Sequence, residues 1–140
     1  MSNQLDFEEK FKGVVCAGSI TDRREFMRLM EIPEEILNIV DSLDRRSFLP
    51  HEPEGPLEPP QDIGFDQTMS ALWMVAWQAA LLKSESRHKI FEIGGGCGCL
   101  GSVLANLGSE VHIVELIPEL AELESKVADE KVFIWHGNGF

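Results

Sequence analysis

Apolar residues recur at helical spacing in three segments near the start of this 140-residue chain. The segments are residues 4–17, 21–30 and 33–43, and each has one apolar side. This pattern predicts three short amphipathic helices that cover a larger core. Thr21 can cap the second of these helices, and Pro33 fits the first turn of the third.

The middle of the chain changes character twice. Residues 50–62 contain five prolines among mostly polar residues. Because proline lacks a backbone N–H and cannot lie inside a helix or an inner strand, this stretch predicts an extended surface loop. Residues 67–83 are apolar on nearly every face, which predicts a buried helix.

From residue 89 onward, short apolar runs alternate with amphipathic segments. The runs predict strands at residues 89–93, 110–115 and 131–135, and the segments between them predict helices at 100–107 and 118–130. Strands that alternate with helices of this length are joined by crossover connections and lie parallel. The pattern therefore predicts an α/β fold.

Composition and charge exclude several classes of partner. The chain has 24 acidic and 12 basic residues, which gives a formal net charge of −12. This balance argues against binding to nucleic acid and to an anionic membrane surface. The polar start MSNQLDFEEK does not fit a signal peptide, and no apolar run is long enough to span a bilayer. Three cysteines with no evident pairing indicate a reducing, cytoplasmic environment.

The segment EIGGGCGCLG at 92–101 places a glycine-rich turn between the first strand and its helix, the usual ligand position in a parallel sheet. One interpretation is a dinucleotide site. Gly96-x-Gly98-x-x-Gly101 matches the fingerprint that binds a pyrophosphate at a helix N-terminus. The match begins two residues late relative to the end of the strand, and a lone match of this kind is a weak signal.

The second interpretation is a site for S-adenosylmethionine. Glu92 precedes Gly94, Gly96 and Gly98, so a carboxylate stands at the strand end, where it suits the ammonium and sulfonium groups of this cofactor. The glycines let the backbone approach the ligand. At the end of the second strand, Glu115 can accept hydrogen bonds from both ribose hydroxyls.

A metal site is not expected. Cys97 and Cys99 could be combined with His112 and His136 as zinc ligands. The spacing matches no known zinc pattern, however, and the two thiols lie in a turn whose backbone serves the ligand.

The segment FEIGGGCGCLGSVLANLGSEVHIVELIPELAE, with DIGFDQTMSALWMVA before it and HGNGF after it, resembles the protein-L-isoaspartate O-methyltransferase family. The similarity spans about residues 33–140 and includes RRSFLP at 45–50. It implies a Rossmann-like methyltransferase sheet with parallel strands and crossover helices, preceded by N-terminal helices. It also implies a helical region at 1–49, a proline-rich substrate-side loop at 50–66 and the first half of the cofactor domain at 67–140.

The resemblance implies methyl transfer from S-adenosylmethionine to the free carboxylate of L-isoaspartyl residues in damaged proteins, a repair reaction whose partners are isoaspartyl proteins or peptides. Ser70 falls on the family's active-site serine, whose hydroxyl can orient the substrate carboxylate. The positions implied for cofactor binding are Gln67, Thr68, Glu92, Gly94, Gly96, Gly98, Glu115, Asn138 and Gly139.

The chain also departs from the family pattern. Ala71 and Leu72 stand where a proline is usual, Asp66 replaces a glycine, and Asn138 replaces an aspartate. These departures leave open a member that binds cofactor or a partner without catalysis.

The end of the chain carries a further expectation. The family continues with more strands, so the sequence predicts that C-terminal strands are absent and that this is the N-terminal part of a longer protein. Unless the N-terminal helices close the sheet, the first strand would then have an open apolar edge, and such edges promote self-association.

Overall fold

The computed structural model describes residues 23–83 and 85–140. Its first elements are helix α1 at Arg23–Leu29, helix α2 at Glu34–Ser42 and a 3-10 helix at Arg45–Phe48. These match the second and third predicted helices, and Pro33 directly precedes α2. The helix predicted over residues 4–17 lies outside the described residues.

A β-hairpin follows the proline-rich loop and was not predicted. Strand β1 at Gln61–Gly64 pairs antiparallel with β2 at Gln67–Met69. The turn between them has positive φ at two non-glycine residues, Phe65 (58°) and Asp66 (56°). The hairpin takes the first residues of the segment that the sequence predicted as one helix.

Helix α3 therefore spans only Leu72–Leu82. The prediction of a buried helix over 67–83 was wrong in its start, and its last turn is not buried. Leu81 and Leu82 are 61% and 49% exposed, because only one side of α3 packs on the core. The helix ends at Lys83 in the left-handed conformation.

The second half of the chain has the predicted α/β alternation. Its elements are β3 at Lys89–Ile93, α4 at Cys99–Asn106, β4 at Glu110–Glu115, α5 at Pro118–Val127 and β5 at Val132–His136. The strands form a parallel sheet in the order β3-β4-β5. The α/β fold with N-terminal helices, parallel strands and crossover helices is confirmed.

The core lies on one side of this sheet. Val111 and Ile113 of β4 are fully buried against Val103 and Leu104 of α4. Helix α3 packs against α4, and α1 and α2 pack against α3 in turn. The ring of Phe26 in α1 meets Trp73 edge-on at 5.9 Å between centroids. In residues 23–83 and 85–140, no helix is long and apolar enough to cross a membrane.

Within residues 23–83 and 85–140, no helix covers the opposite side of the sheet, which corrects the prediction that β3 is a buried strand. Cross-strand pairing aligns two rows of side chains there, and we call these rows the bare face. Its residues are Phe91, His112 and Phe133 in one row and Ile93, Val114 and Trp135 in the other. Helices α1 and α2 pack beside α3 on the other side and leave this face uncovered.

We expect the 140-residue chain to self-associate through the bare face and the adjoining edge of β3. Phe91 is 60% exposed and Trp135 is 55% exposed. Burying one such ring contributes about 1.5–3 kcal/mol, so Trp135→Lys should raise the dissociation constant by tenfold or more. Sedimentation velocity over a concentration series measures this change.

The matched control is Leu81→Lys, which replaces an exposed apolar residue of α3 that is not on the bare face. This variant should associate like the parent. A parent chain that sediments as a monomer at all concentrations and melts cooperatively would contradict the expectation.

Candidate functional site

The loop between β3 and α4 has a backbone that glycine makes possible. Gly94, Gly96 and Gly98 have φ values of 77°, 65° and 82°, a region that side-chain-bearing residues rarely adopt. The N–H of Gly94 donates to the carbonyl oxygen of Val114 at 2.8 Å, which ties the loop to β4. Gly98 directly precedes the first residue of α4.

A cavity of about 500 Å³ opens beside this loop, at the carboxyl ends of β3 and β4. The β1–β2 hairpin and the start of α3 form its other wall. In an α/β sheet this is where ligands bind. The residues expected at the site that line the cavity are Gln67, Thr68, Ser70, Glu92, Gly94, Gly96 and Glu115.

Glu115 links the glycine loop to the segment that follows β4. Its carboxylate accepts hydrogen bonds from the N–H of Gly96 at 2.9 Å and from the N–H of Ile117 at 2.8 Å. The residue is 5% exposed. Each carboxylate oxygen keeps a free lone pair, so two hydroxyl donors can still be accepted.

Glu92 lies against the first turn of α4. Its Oε2 lies 3.4 Å from the position that a Cβ on Gly101 would occupy, and it is buried without a hydrogen-bond partner. Burial, together with the negative charge of Glu115, raises the pKa of Glu92 to about 7. A cationic ligand group in the cavity would relieve both effects, which fits the ammonium of S-adenosylmethionine.

Ser70 is exposed at the mouth of the cavity, between β2 and α3. Its carbonyl oxygen accepts a hydrogen bond from Nη2 of Arg45 at 2.9 Å. Arg45 is only 3% exposed, and burial lowers the pKa of its guanidinium. This buried arginine, which holds the backbone at Ser70, was not predicted from the sequence.

Three of the expected residues do not line the cavity. Gly98 directly precedes α4 and packs against Glu124 of α5. The side-chain oxygen of Asn138 accepts a hydrogen bond from the N–H of Phe140 at 3.2 Å. A Cβ on Gly139 would lie 2.6 Å from Cγ2 of Ile93, so this glycine packs against the end of β3.

Several residues at the loop were not anticipated. Cys97 lines the cavity, and burial raises the pKa of its thiol to about 11. The thiol is therefore uncharged at neutral pH. Glu124 lies behind the loop and is 1% exposed. In the described part of the chain, no group of three or more His, Cys, Asp or Glu side chains could hold a metal ion.

Comparison with known proteins identifies the family to which the chain belongs. The family model for protein-L-isoaspartate(D-aspartate) O-methyltransferase (PCMT) matches residues 24–139. The chain belongs to the PCMT family. The family resemblance predicted from the glycine loop and its flanking segments is thus confirmed.

Curated relatives carry the same family name. The chain is 40% identical over 95 residues to a protein-L-isoaspartate O-methyltransferase of Methanococcoides burtonii, covering 64% of this chain and 47% of that protein. It is 31% identical over 144 aligned positions to protein-L-isoaspartate O-methyltransferase 1 of Archaeoglobus fulgidus, covering 96% and 63%. The PCMT chain described here therefore spans about half the length of the relatives it matches.

Solved structures support the fold. A protein-L-isoaspartate O-methyltransferase structure superposes with a TM-score of 0.69 at 20% identity, covering 83% of this chain and 41% of the other. A Plasmodium falciparum PCMT, solved in complex with S-adenosyl-L-homocysteine, superposes with a TM-score of 0.66 at 19% identity, covering 83% and 62%.

The packing of the PCMT loop predicts a sensitive position. A Cβ on Gly95 would clash with Oε1 of Glu124 and Cγ2 of Ile113. Gly95→Ala should therefore lower the free energy of unfolding by about 1–3 kcal/mol, the usual range for overpacking. Urea unfolding followed by tryptophan fluorescence measures the loss.

Gly137→Ala is the matched control, because nothing lies within 4 Å of the position of its Cβ. This change should alter the free energy of unfolding by no more than about 0.5 kcal/mol. Equal stability of Gly95→Ala and the parent would show that the loop does not lie against α5 as described.

Proposed function

We propose that this protein binds S-adenosylmethionine in the cavity beside the glycine loop and transfers its methyl group to the free carboxylate of L-isoaspartyl residues in damaged proteins. The single observation that carries the cofactor assignment is the geometry of Glu115. Its buried carboxylate holds the loop through Gly96, and each of its oxygens retains a lone pair that can accept a hydrogen bond from a ribose hydroxyl. Membership of the PCMT family supports the reaction class.

The charge of the cavity favours this cofactor over a dinucleotide. Glu92 and Glu115 both line the cavity. A pyrophosphate placed beside two carboxylates would be repelled, whereas a ligand that carries an ammonium and a sulfonium is attracted. The Plasmodium relative was solved with S-adenosyl-L-homocysteine, the product of methyl donation.

Methyl transfer to a carboxylate needs little acid–base catalysis from the protein. When bound, S-adenosylmethionine supplies a methyl group on a sulfonium, and the substrate carboxylate is already a competent nucleophile. Glu92, Glu115 and the glycine loop would hold the cofactor, whose methyl group would pass to a carboxylate oxygen of the substrate and leave S-adenosyl-L-homocysteine as the other product. Ser70, at the cavity mouth, orients the carboxylate through its hydroxyl. The methyl ester can then close to a succinimide, which opens partly to aspartate.

A second candidate is a cofactor-binding member of the family without catalysis. The observation in its favour is the departure from the family pattern around the site, including Asn138 in place of an aspartate. The chain also departs from the family pattern at Ala71 and Leu72, where the family usually has a proline. The N–H of Leu72 donates to the carbonyl oxygen of Glu58 in the proline-rich loop at 3.1 Å, a bond that a proline at position 72 could not make.

The cofactor assignment is tested by Glu115→Ala. Losing hydrogen bonds to a charged acceptor should weaken binding of S-adenosyl-L-homocysteine by about 1.5–3 kcal/mol. Isothermal titration calorimetry measures the affinity, and titration with NAD should give no binding to the parent.

Glu110→Ala is the matched control, since Glu110 lies at the opposite end of β4 and pairs there with Lys89. It should bind S-adenosyl-L-homocysteine like the parent. Equal affinity in Glu115→Ala and the parent would remove Glu115 from the site, and tight binding of NAD would favour the dinucleotide interpretation.

The catalytic assignment is tested by Ser70→Ala. Losing one orienting hydrogen bond should slow methyl transfer to an isoaspartyl peptide roughly tenfold to a hundredfold, while cofactor affinity stays nearly unchanged. Transfer of a radiolabelled methyl group measures the rate, and Ser42→Ala on α2, away from the cavity, is the control. Cofactor binding without methyl transfer in the parent would favour the second candidate.

A further inference from the structure

One buried acid has no part in the proposed reaction. Glu124 of α5 is 1% exposed, and neither of its carboxylate oxygens has a hydrogen-bond partner. It does not line the cavity, so it would not touch a ligand there. A buried polar group without a partner is costly, and such a group in a folded protein requires an explanation.

The position of Glu124 suggests what it does. Its Oε1 abuts Gly95, and its Cγ lies 3.4 Å from where a Cβ on Gly98 would be. The side chain thus supports the glycine loop from behind, on the side away from the cavity. An ionised carboxylate in this place would be a buried charge without a partner, which is unfavourable. It would gain contact with water if the glycine loop moved away from it or if the Glu124 side chain moved away from the loop.

The surroundings of Glu124 disfavour a negative charge. Burial, followed by the charges of Glu115 and Glu92, raises the pKa of Glu124 to about 8. Among the described residues, it makes no ion pair with any neighbouring cation. The titratable groups of α5, of the loop and of the elements packed around them are Glu92 on β3, Cys97 and Cys99 at the loop, Glu110, His112 and Glu115 on β4, His136 on β5, Arg45 and Arg46 on the 3-10 helix, and Glu119, Glu122 and Lys126 on α5 itself.

We propose that Glu124 is a positioning residue for the cofactor loop, and that its carboxyl group supports the loop in the binding conformation only while it carries a proton. The effect on cofactor rests on the proposed function, whereas the effect on the loop does not. Loss of the proton turns the support into a buried, unpaired charge, and the loop moves away from α5.

The sign of the pH dependence follows from linkage. Because the pKa of Glu124 is raised in the folded protein, its contribution to stability is complete below the ordinary glutamate value of 4.5 and is lost progressively up to about 8. Above about 8 the carboxyl group ionises within the folded protein, so affinity for S-adenosyl-L-homocysteine should fall by up to about tenfold per pH unit.

The test compares the parent with Glu124→Gln, which keeps the shape and removes the ionisation. S-adenosyl-L-homocysteine affinity is measured by calorimetry from pH 7.5 to pH 9.5. Thiol ionisation does not interfere, since burial raises the pKa of Cys97 and Cys99 to about 11 and about 12. The amino group of the ligand titrates alike in both series. Glu122→Gln, on the same helix but paired in solvent with Lys126, is the control.

The expected result is a steeper alkaline loss of affinity in the parent and in Glu122→Gln than in Glu124→Gln. Identical pH profiles in all three proteins would overturn the proposal. If the parent binds no S-adenosyl-L-homocysteine at any pH, the proposed function fails, and hydrogen-exchange protection of residues 94–98 decides the inference instead. Protection that falls above pH 8 in the parent but not in Glu124→Gln supports it, and equal protection overturns it.

A second measurement needs no variant. Carbon-13 NMR of the parent labelled in glutamate follows each carboxyl group through its titration. Two buried carboxyls are expected to titrate high, Glu92 near pH 7 and Glu124 near pH 8, and loop resonances that shift at the higher of the two midpoints support the proposal. Titration of all glutamates near the ordinary value would overturn it even if Glu124→Gln failed to fold.

Discussion

The close approach of the glycine loop to β4 and α5 is the constraint on which the site depends. Gly95 and Gly101 leave no space for a side chain, since a Cβ on either would run into Ile113. The N–H of Gly96 is then presented to Glu115 at 2.9 Å. Because the loop is held at this distance, the cavity opens beside it at the carboxyl ends of β3 and β4.

The loop also brings three acidic side chains close together. Glu92, Glu115 and Glu124 surround one turn of backbone, and the raised pKa values of Glu92 and Glu124 have burial as their largest cause. Such a cluster is unfavourable in the free protein and becomes less so when a cation enters the cavity. In the proposed function, the carboxylates of Glu92 and Glu115 favour a cationic ligand over a phosphorylated one.

The sequence predicted the second half of the chain well because its periodicity was local and its glycines were explicit. Strands β3 and β4 have their predicted bounds, and the loop lies where its glycines placed it. The β1–β2 hairpin was missed because its turn uses Phe65 and Asp66 in a conformation typical of glycine. Glu124 was missed because its pattern is that of a solvent-exposed helix, and its burial depends on a loop distant in sequence.

The bare face and the cavity meet at one residue. Ile93 is 49% exposed in the row with Val114 and Trp135, lines the cavity, and packs against Gly139. Any polypeptide that covers the bare face must therefore change the surroundings of the cavity at this point. Coupling between two binding events is reciprocal, so if a partner on the bare face changes the affinity of the cavity for its ligand, the ligand changes the affinity for that partner by the same factor. Association and cofactor binding in this protein are consequently to be measured together.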